Sequence, residues 1–130
     1  MIDELLEYNR AFVGKKGYEK YLTNKYPDKK IAIVTCMDTR LVELIPAALG
    51  LKNGDVKMIK NAGGTITHPF GSVMRSLLVG IYELGVEEVM IIGHTSNIVS
   101  AFRGNVYNQS VNIFGGEQTC PSPGRQIVIQ

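Results

Sequence analysis

A thiol, a carboxylate and a guanidinium stand at alternate positions, Cys36, Asp38 and Arg40, after the apolar, β-branched run Ile31-Ala32-Ile33-Val34. On an extended segment alternate residues share one face, so the three are expected to point at a common spot. A second apolar run, Val89-Met90-Ile91-Ile92, ends in Gly93-His94. A soft thiolate and an imidazole at the carboxyl ends of two buried strands suggest a zinc site, with Asp38 and Arg40 beside it. Three residues beyond the histidine, Asn97 stands where the simplest zinc constellation wants another cysteine.

The elements that must position these groups alternate along the chain. Residues 2–13 carry Ile2, Leu5, Leu6, Phe12 and Val13 at helical spacing, with Asp3, Glu4 and Glu7 in the early turns, where the helix dipole favours them. A second short helix is expected over 18–25, then a turn at Pro27-Asp28-Lys29-Lys30 into a strand over 31–35. A helix over 41–49 is closed by Gly50, and Asn53-Gly54 turns the chain into a strand over 55–60. The tight loop Asn61-Ala62-Gly63-Gly64 follows, and its position opposite Cys36 suggests that it lines the site. A long helix over 69–84, with Val73, Leu77, Leu78, Ile81 and Leu84 inward, ends at Gly85 and leads to a strand over 86–92. The order β-α-β-α-β implies an α/β fold, a mostly parallel central sheet flanked by helices. Its functional residues gather at the carboxyl edge, where Cys36, Asn61 and His94 all fall.

Length and composition bound the rest. At 130 residues the chain reads as one domain: a helical arm over 1–30, an α/β core over 31–96 and a divergent tail over 97–130. A net charge of +2 is too small to argue for nucleic acid or a membrane surface. No apolar run approaches a membrane span, and the acidic start Met-Ile-Asp-Glu is unlike a secretory signal. Cys36 and Cys120 do not make a disulfide framework, so a reducing cytoplasm is the expected compartment. The tail holds only Arg103, Glu117 and Arg125 as charges and reads as turns with one or two short strands. Asn108-Gln109-Ser110 matches a glycosylation acceptor, a match expected to be accidental if, as the acidic start suggests, no signal peptide is present.

Four pieces together carry a family resemblance: Cys36-Met37-Asp38-Thr39-Arg40, Lys60-Asn61-Ala62-Gly63-Gly64, Arg75-Ser76-Leu77 and Ile92-Gly93-His94-Thr95. Residues 1–95 resemble a β-class carbonic anhydrase of the short bacterial and archaeal type. The resemblance implies Zn2+ as cofactor, CO2 and bicarbonate as substrates, and a homodimer or larger homo-oligomer paired through N-terminal helices. It also implies Cys36 and His94 as metal ligands, and Asp38 and Arg40 as the catalytic dyad beside the metal. In some members the aspartate itself closes onto zinc, so Asp38 counts as both possible ligand and catalytic residue. Zinc lowers the pKa of water toward neutrality, Asp38 would orient that water, and Arg40 would hold Asp38 ionised.

The family's second zinc cysteine does not carry over, because position 97 is Asn, and its later helices and last strand find no recognisable counterpart in the tail. An amide oxygen is a poor zinc ligand beside a thiolate, so affinity should fall sharply. Two functions therefore stand: a zinc lyase hydrating CO2, impaired in this chain, or a metal-poor, non-catalytic relative with a structural or interaction role. Each residue also has a plainer reading. Cys36 could be a small buried apolar residue, Asp38 and Arg40 a structural ion pair, and His94 a helix cap. His68 reads as a loop residue, and Cys120 has no role unless it replaces the missing ligand.

Overall fold

The computed structural model describes residues 1–94. Its centre is the strand β1, Ile31–Cys36, in which every residue from Ala32 to Cys36 is buried. Such a run without polar alternation suits a strand covered on both faces, the usual situation in a parallel sheet. The strands β2, Val56–Asn61, and β3, Glu88–Ile92, flank it in the order β2-β1-β3. Both pairings are parallel, with Ile31 opposite Val56 and Glu88, and Cys36 opposite Asn61. The α/β expectation, a parallel sheet flanked by helices, therefore holds in the described residues.

Two helices cover the two faces. Helix α2, Leu41–Ala48, places Leu41 and Ile45 against Ile33, Cys36 and Ile92. Helix α3, Ser72–Leu84, places Leu77 against Ala32, Val34 and Val86 on the other face. Between these layers β1 loses contact with water while β2 and β3 stay partly exposed, and that burial is the main force holding the layers together. A third helix, α1, Ile2–Gly14, precedes them and buries no residue. Leu5 is 72% exposed and Leu6 49%, although the half-buried Phe12 packs its ring 6.3 Å from that of Tyr21. No helix among the described residues is long and apolar enough to cross a membrane.

Several element boundaries differ from the sequence reading, each for a local reason. The helix expected over 18–25 is a single 3-10 turn, Glu19–Tyr21. Leu22 is already extended, and the Asn24 side chain accepts from the Tyr26 N–H at 2.7 Å, a turn that competes with a helix. The helix expected from residue 69 starts at Ser72. Before it, His68 Nδ1 accepts from Phe70 N–H at 3.0 Å and the His68 carbonyl from Gly71 N–H at 3.1 Å. Leu78 and Ile81, read as inward, are 44% and 43% exposed. The buried stripe runs through Val73, Leu77 and Gly80, spaced four and three apart, where Gly80 lets Val86 approach closely. The last strand begins at Glu88 because the Lys30 carbonyl takes the N–H groups of Glu87 and Glu88 at 2.8 and 3.2 Å. The helix over 41–49 ends one residue early, at Ala48, and the strand over 55–60 lies one residue later.

Ile45 is fully buried between α2 and the sheet, whereas Val42 on the same helix is 55% exposed. Truncation of Ile45 to Ala should cost about 2–5 kcal/mol in a denaturant titration. The same truncation at Val42 should change stability by no more than about 0.5 kcal/mol. Equal losses would place the core elsewhere.

Candidate functional site

Parallel strands deliver their carboxyl ends to one edge, and here that edge collects the groups singled out by chemistry. Cys36 ends β1, Asn61 ends β2 directly opposite it, and His94 follows β3 by two residues. The Cys36 thiol is free and 6% exposed, packed with Ile33, Leu41, Ile45 and Ile92. Strict alternation would have grouped Cys36 with Ala32 and Val34 instead. The thiol joins the cluster that α2 covers.

Asp38 and Arg40 do not reach Cys36 by strand alternation, as their spacing suggests. The extended segment stops at Cys36, so the three residues do not share a strand face. Asp38 and Arg40 meet because the chain turns: Asp38 Oδ1 accepts from the Arg40 N–H at 2.9 Å, and the Asp38 carbonyl accepts from Leu41 N–H at 3.0 Å. This is the local side-chain turn that aspartate favours, and it leads straight into α2. Arg40 then closes back with both arms, Nε to Oδ1 at 2.9 Å and Nη2 to Oδ2 at 2.7 Å. The Asp38 side chain is only 14% exposed, while that of Arg40 is 62% exposed.

These bonds decide the charge of the pair. The Arg40 guanidinium, with help from its own N–H, holds the Asp38 carboxyl well below the usual carboxylate range. Asp38 in turn pushes Arg40 higher. His94 adds a smaller downward pull on Asp38, and Cys36 adds to the upward push on Arg40, so the pair is within electrostatic reach of both the imidazole and the thiol. His94 Nε2 is buried and has no hydrogen-bond partner among the described residues. A buried imidazole nitrogen without a partner is costly, and a metal ion is one thing that would satisfy it.

The donor set suits zinc in kind, a thiolate, an imidazole and a carboxylate. It is incomplete in arrangement, because no three His, Cys, Asp or Glu residues among the described ones gather closely enough to hold a metal ion. Asp38 faces Arg40 with both oxygens. Asn97 and Cys120 lie outside the described residues. His68 sits in the exposed turn before α3, as expected of a loop residue. Sequence reasoning missed the buried Thr35 hydroxyl, which also has no partner among the described residues. Its place in an apolar run hid it.

A parallel α/β domain with a thiol, an imidazole and an acid–arginine clasp at one sheet edge defines a narrow class. The carbonic anhydrase family model matches residues 31–103. The Bacillus subtilis protein YvdA, assigned to the same family by its name, is 53% identical over 119 residues, 92% of this chain and 60% of its own. An alignment of that length extends past residue 96, so the likeness does not stop at His94. Beta-carbonic anhydrase 1 of Mycobacterium tuberculosis is 34% identical over 97 residues, 75% of this chain and 56% of that protein. The crystal structure of β-carbonic anhydrase isoform I from Trichomonas vaginalis superposes with a TM-score of 0.68 at 43% identity, covering 74% of this chain and 53% of that one. The chain belongs to the β-carbonic anhydrase family, and it spans 60% or less of the length of each of these relatives.

Replacing Arg40 with Ala should return the Asp38 carboxyl toward the ordinary carboxylate range in a carbon-13 NMR titration. The acid side of the stability curve follows from the same shift. A lowered folded-state pKa contributes stability that is complete above the ordinary carboxylate range and lost as pH falls below it. That acid loss should shrink in the Arg40→Ala protein. An unchanged Asp38 titration would mean that Arg40 is not the cause.

Proposed function

We propose that this chain is built for the reversible hydration of CO2 to bicarbonate at a zinc site held by Cys36 and His94. Asp38 or an exogenous ligand completes the shell. The observation that carries the proposal is the buried His94 Nε2, which has no hydrogen-bond partner among the described residues, at the same sheet edge as the buried thiol of Cys36, the strands before them being paired in parallel. When bound, zinc would supply Lewis acidity that brings the pKa of water toward neutrality.

The chain's own residues would do the rest. Asp38, a carboxylate at physiological pH that Arg40 holds still further from protonation, can only accept hydrogen bonds. It would therefore orient the attacking water rather than take its proton, since so weak a base holds no proton near neutral pH. Arg40 fixes the direction of both Asp38 oxygens through its two-armed bond. The apolar wall of Ile33, Leu41, Ile45 and Ile92 around Cys36 keeps bulk water from the thiolate side. CO2, being apolar, suffers little from such surroundings.

A second reading has its own support: a metal-poor, non-catalytic relative. Asp38 is already clasped by Arg40, the described donors do not assemble into a three-ligand group, and position 97 is Asn. Metal analysis of the purified chain with stopped-flow CO2 hydration separates the two. We expect zinc well below one per chain and weak hydration, no detectable zinc after Cys36→Ser, and more zinc after Asn97→Cys. Stoichiometric zinc with full hydratase activity in the unmodified chain would refute the weak site, and Cys120→Ser would then test a substitute ligand. Complete absence of zinc at saturating metal would favour the non-catalytic relative.

The exposed face of α1 supports a homo-oligomer, with Leu5, Leu6 or Phe12 at the interface. Sedimentation should show a dimer or larger species that Leu5→Glu dissociates. A monomer at high concentration would contradict that assembly. The cytoplasm remains the compartment we propose, from the cysteine usage.

A further inference from the structure

The loop after β2 is tied into a ring by one side chain. Asn61 Nδ2 donates to the Thr65 carbonyl at 2.6 Å, and Thr65 N–H donates back to Asn61 Oδ1 at 3.0 Å. These two bonds close residues 61–65 with an amide that imitates a backbone pairing. The ring is seated on the end of β1. The Asn61 carbonyl accepts from Met37 N–H at 2.9 Å, on one side of the thiol-bearing residue. On its other side lies Gly64, at φ +63°, where an added Cβ would stand 2.9 Å from Cys36 N and from the Thr35 carbonyl carbon. Both are backbone atoms and cannot swing aside, so only glycine fits. A cysteine reaches its ligand atom through a single side-chain torsion. Its position is therefore inherited almost wholly from the backbone that this ring grips.

We infer that Asn61 and Gly64 are positioning residues for Cys36, the ring holding the Thr35–Cys36–Met37 backbone where the thiol can serve as a ligand. The purpose rests on the metal-site reading above, whereas the grip itself can be measured without any metal. A ligand must sit within about 0.5 Å of its productive place, and a rigid supporting shell is what secures that.

Gly50 provides a matched control, since its φ is +61° and a Cβ there meets nothing within 4 Å. Gly50→Ala and Gly64→Ala carry the same left-handed backbone strain, but only the second intrudes on Cys36. In metal-free protein, iodoacetamide labelling of Cys36 is followed by peptide mass spectrometry, which separates it from Cys120. Labelling should be about tenfold faster in Gly64→Ala than in the unmodified chain, and within about twofold in Gly50→Ala. Asn61→Ala opens the ring without adding bulk and should also speed labelling, which keeps the test decisive if Gly64→Ala does not fold. Asn61→Asp, which keeps the Oδ1 acceptor, should recover part of the protection. In cobalt-loaded protein, the thiolate-to-cobalt absorption band should weaken in Gly64→Ala and Asn61→Ala and persist in Gly50→Ala. Unchanged Cys36 labelling in both Gly64→Ala and Asn61→Ala overturns the inference. If the unmodified chain takes up no cobalt, the metal-site reading falls and the labelling series still decides this one.

Discussion

Parallel pairing around one buried strand is the constraint from which the site follows. Because β2 and β3 both run alongside β1, each must be reached by a crossover, and the crossovers become α2 and α3 on opposite faces. The same parallelism sends three strand ends to one edge, so Cys36, Asn61 and His94 become neighbours although they are far apart in the chain. Antiparallel pairing of either flanking strand would send His94 or Asn61 to the opposite edge. Burial of β1 on both faces then sets the surroundings of the thiol, which lies among Ile33, Leu41, Ile45 and Ile92 rather than in water.

Within that edge the turn at 37–40 supplies the polar chemistry. Asp38 satisfies the Arg40 N–H and both arms of its guanidinium at once, so the turn, the start of α2 and the ionisation of the acid are one arrangement. This linkage explains how a mostly buried carboxylate can remain charged: burial raises its pKa, but the arginine bonds outweigh that effect. It also creates a tension. The bonds that make Asp38 a permanent hydrogen-bond acceptor keep both of its oxygens turned to Arg40. With Asn at position 97, the zinc shell proposed here is short of a firmly held third protein ligand.

Much of this was legible from residue types. The unbroken apolar run before Cys36 announced a buried strand, and Gly85 announced the end of α3, where it takes the left-handed conformation at φ 71°. The Cys-x-Asp-x-Arg spacing announced a shared site, but for the wrong geometric reason. Alternation belongs to strands, and the strand ends at Cys36, so the convergence of Asp38 and Arg40 comes from an aspartate turn that spacing alone does not reveal. The inward face of α3 was misread at Leu78 and Ile81 because a wide apolar stripe on a helix does not say which edge packs; the small Gly80 decides it. The grip of Gly64 on the β1 backbone was illegible, since a Gly-Gly pair signals a turn but not what approaches it.

The central claim is that one thiolate, from Cys36, and one imidazole, from His94, hold zinc at this edge. Zinc K-edge X-ray absorption on the metal-loaded chain reads the ligand atoms directly. The account predicts one sulfur neighbour per zinc at about 2.3 Å, with the remaining neighbours nitrogen or oxygen at about 2.0–2.2 Å. A shell of nitrogen and oxygen alone would contradict it, and so would a shell with two sulfurs.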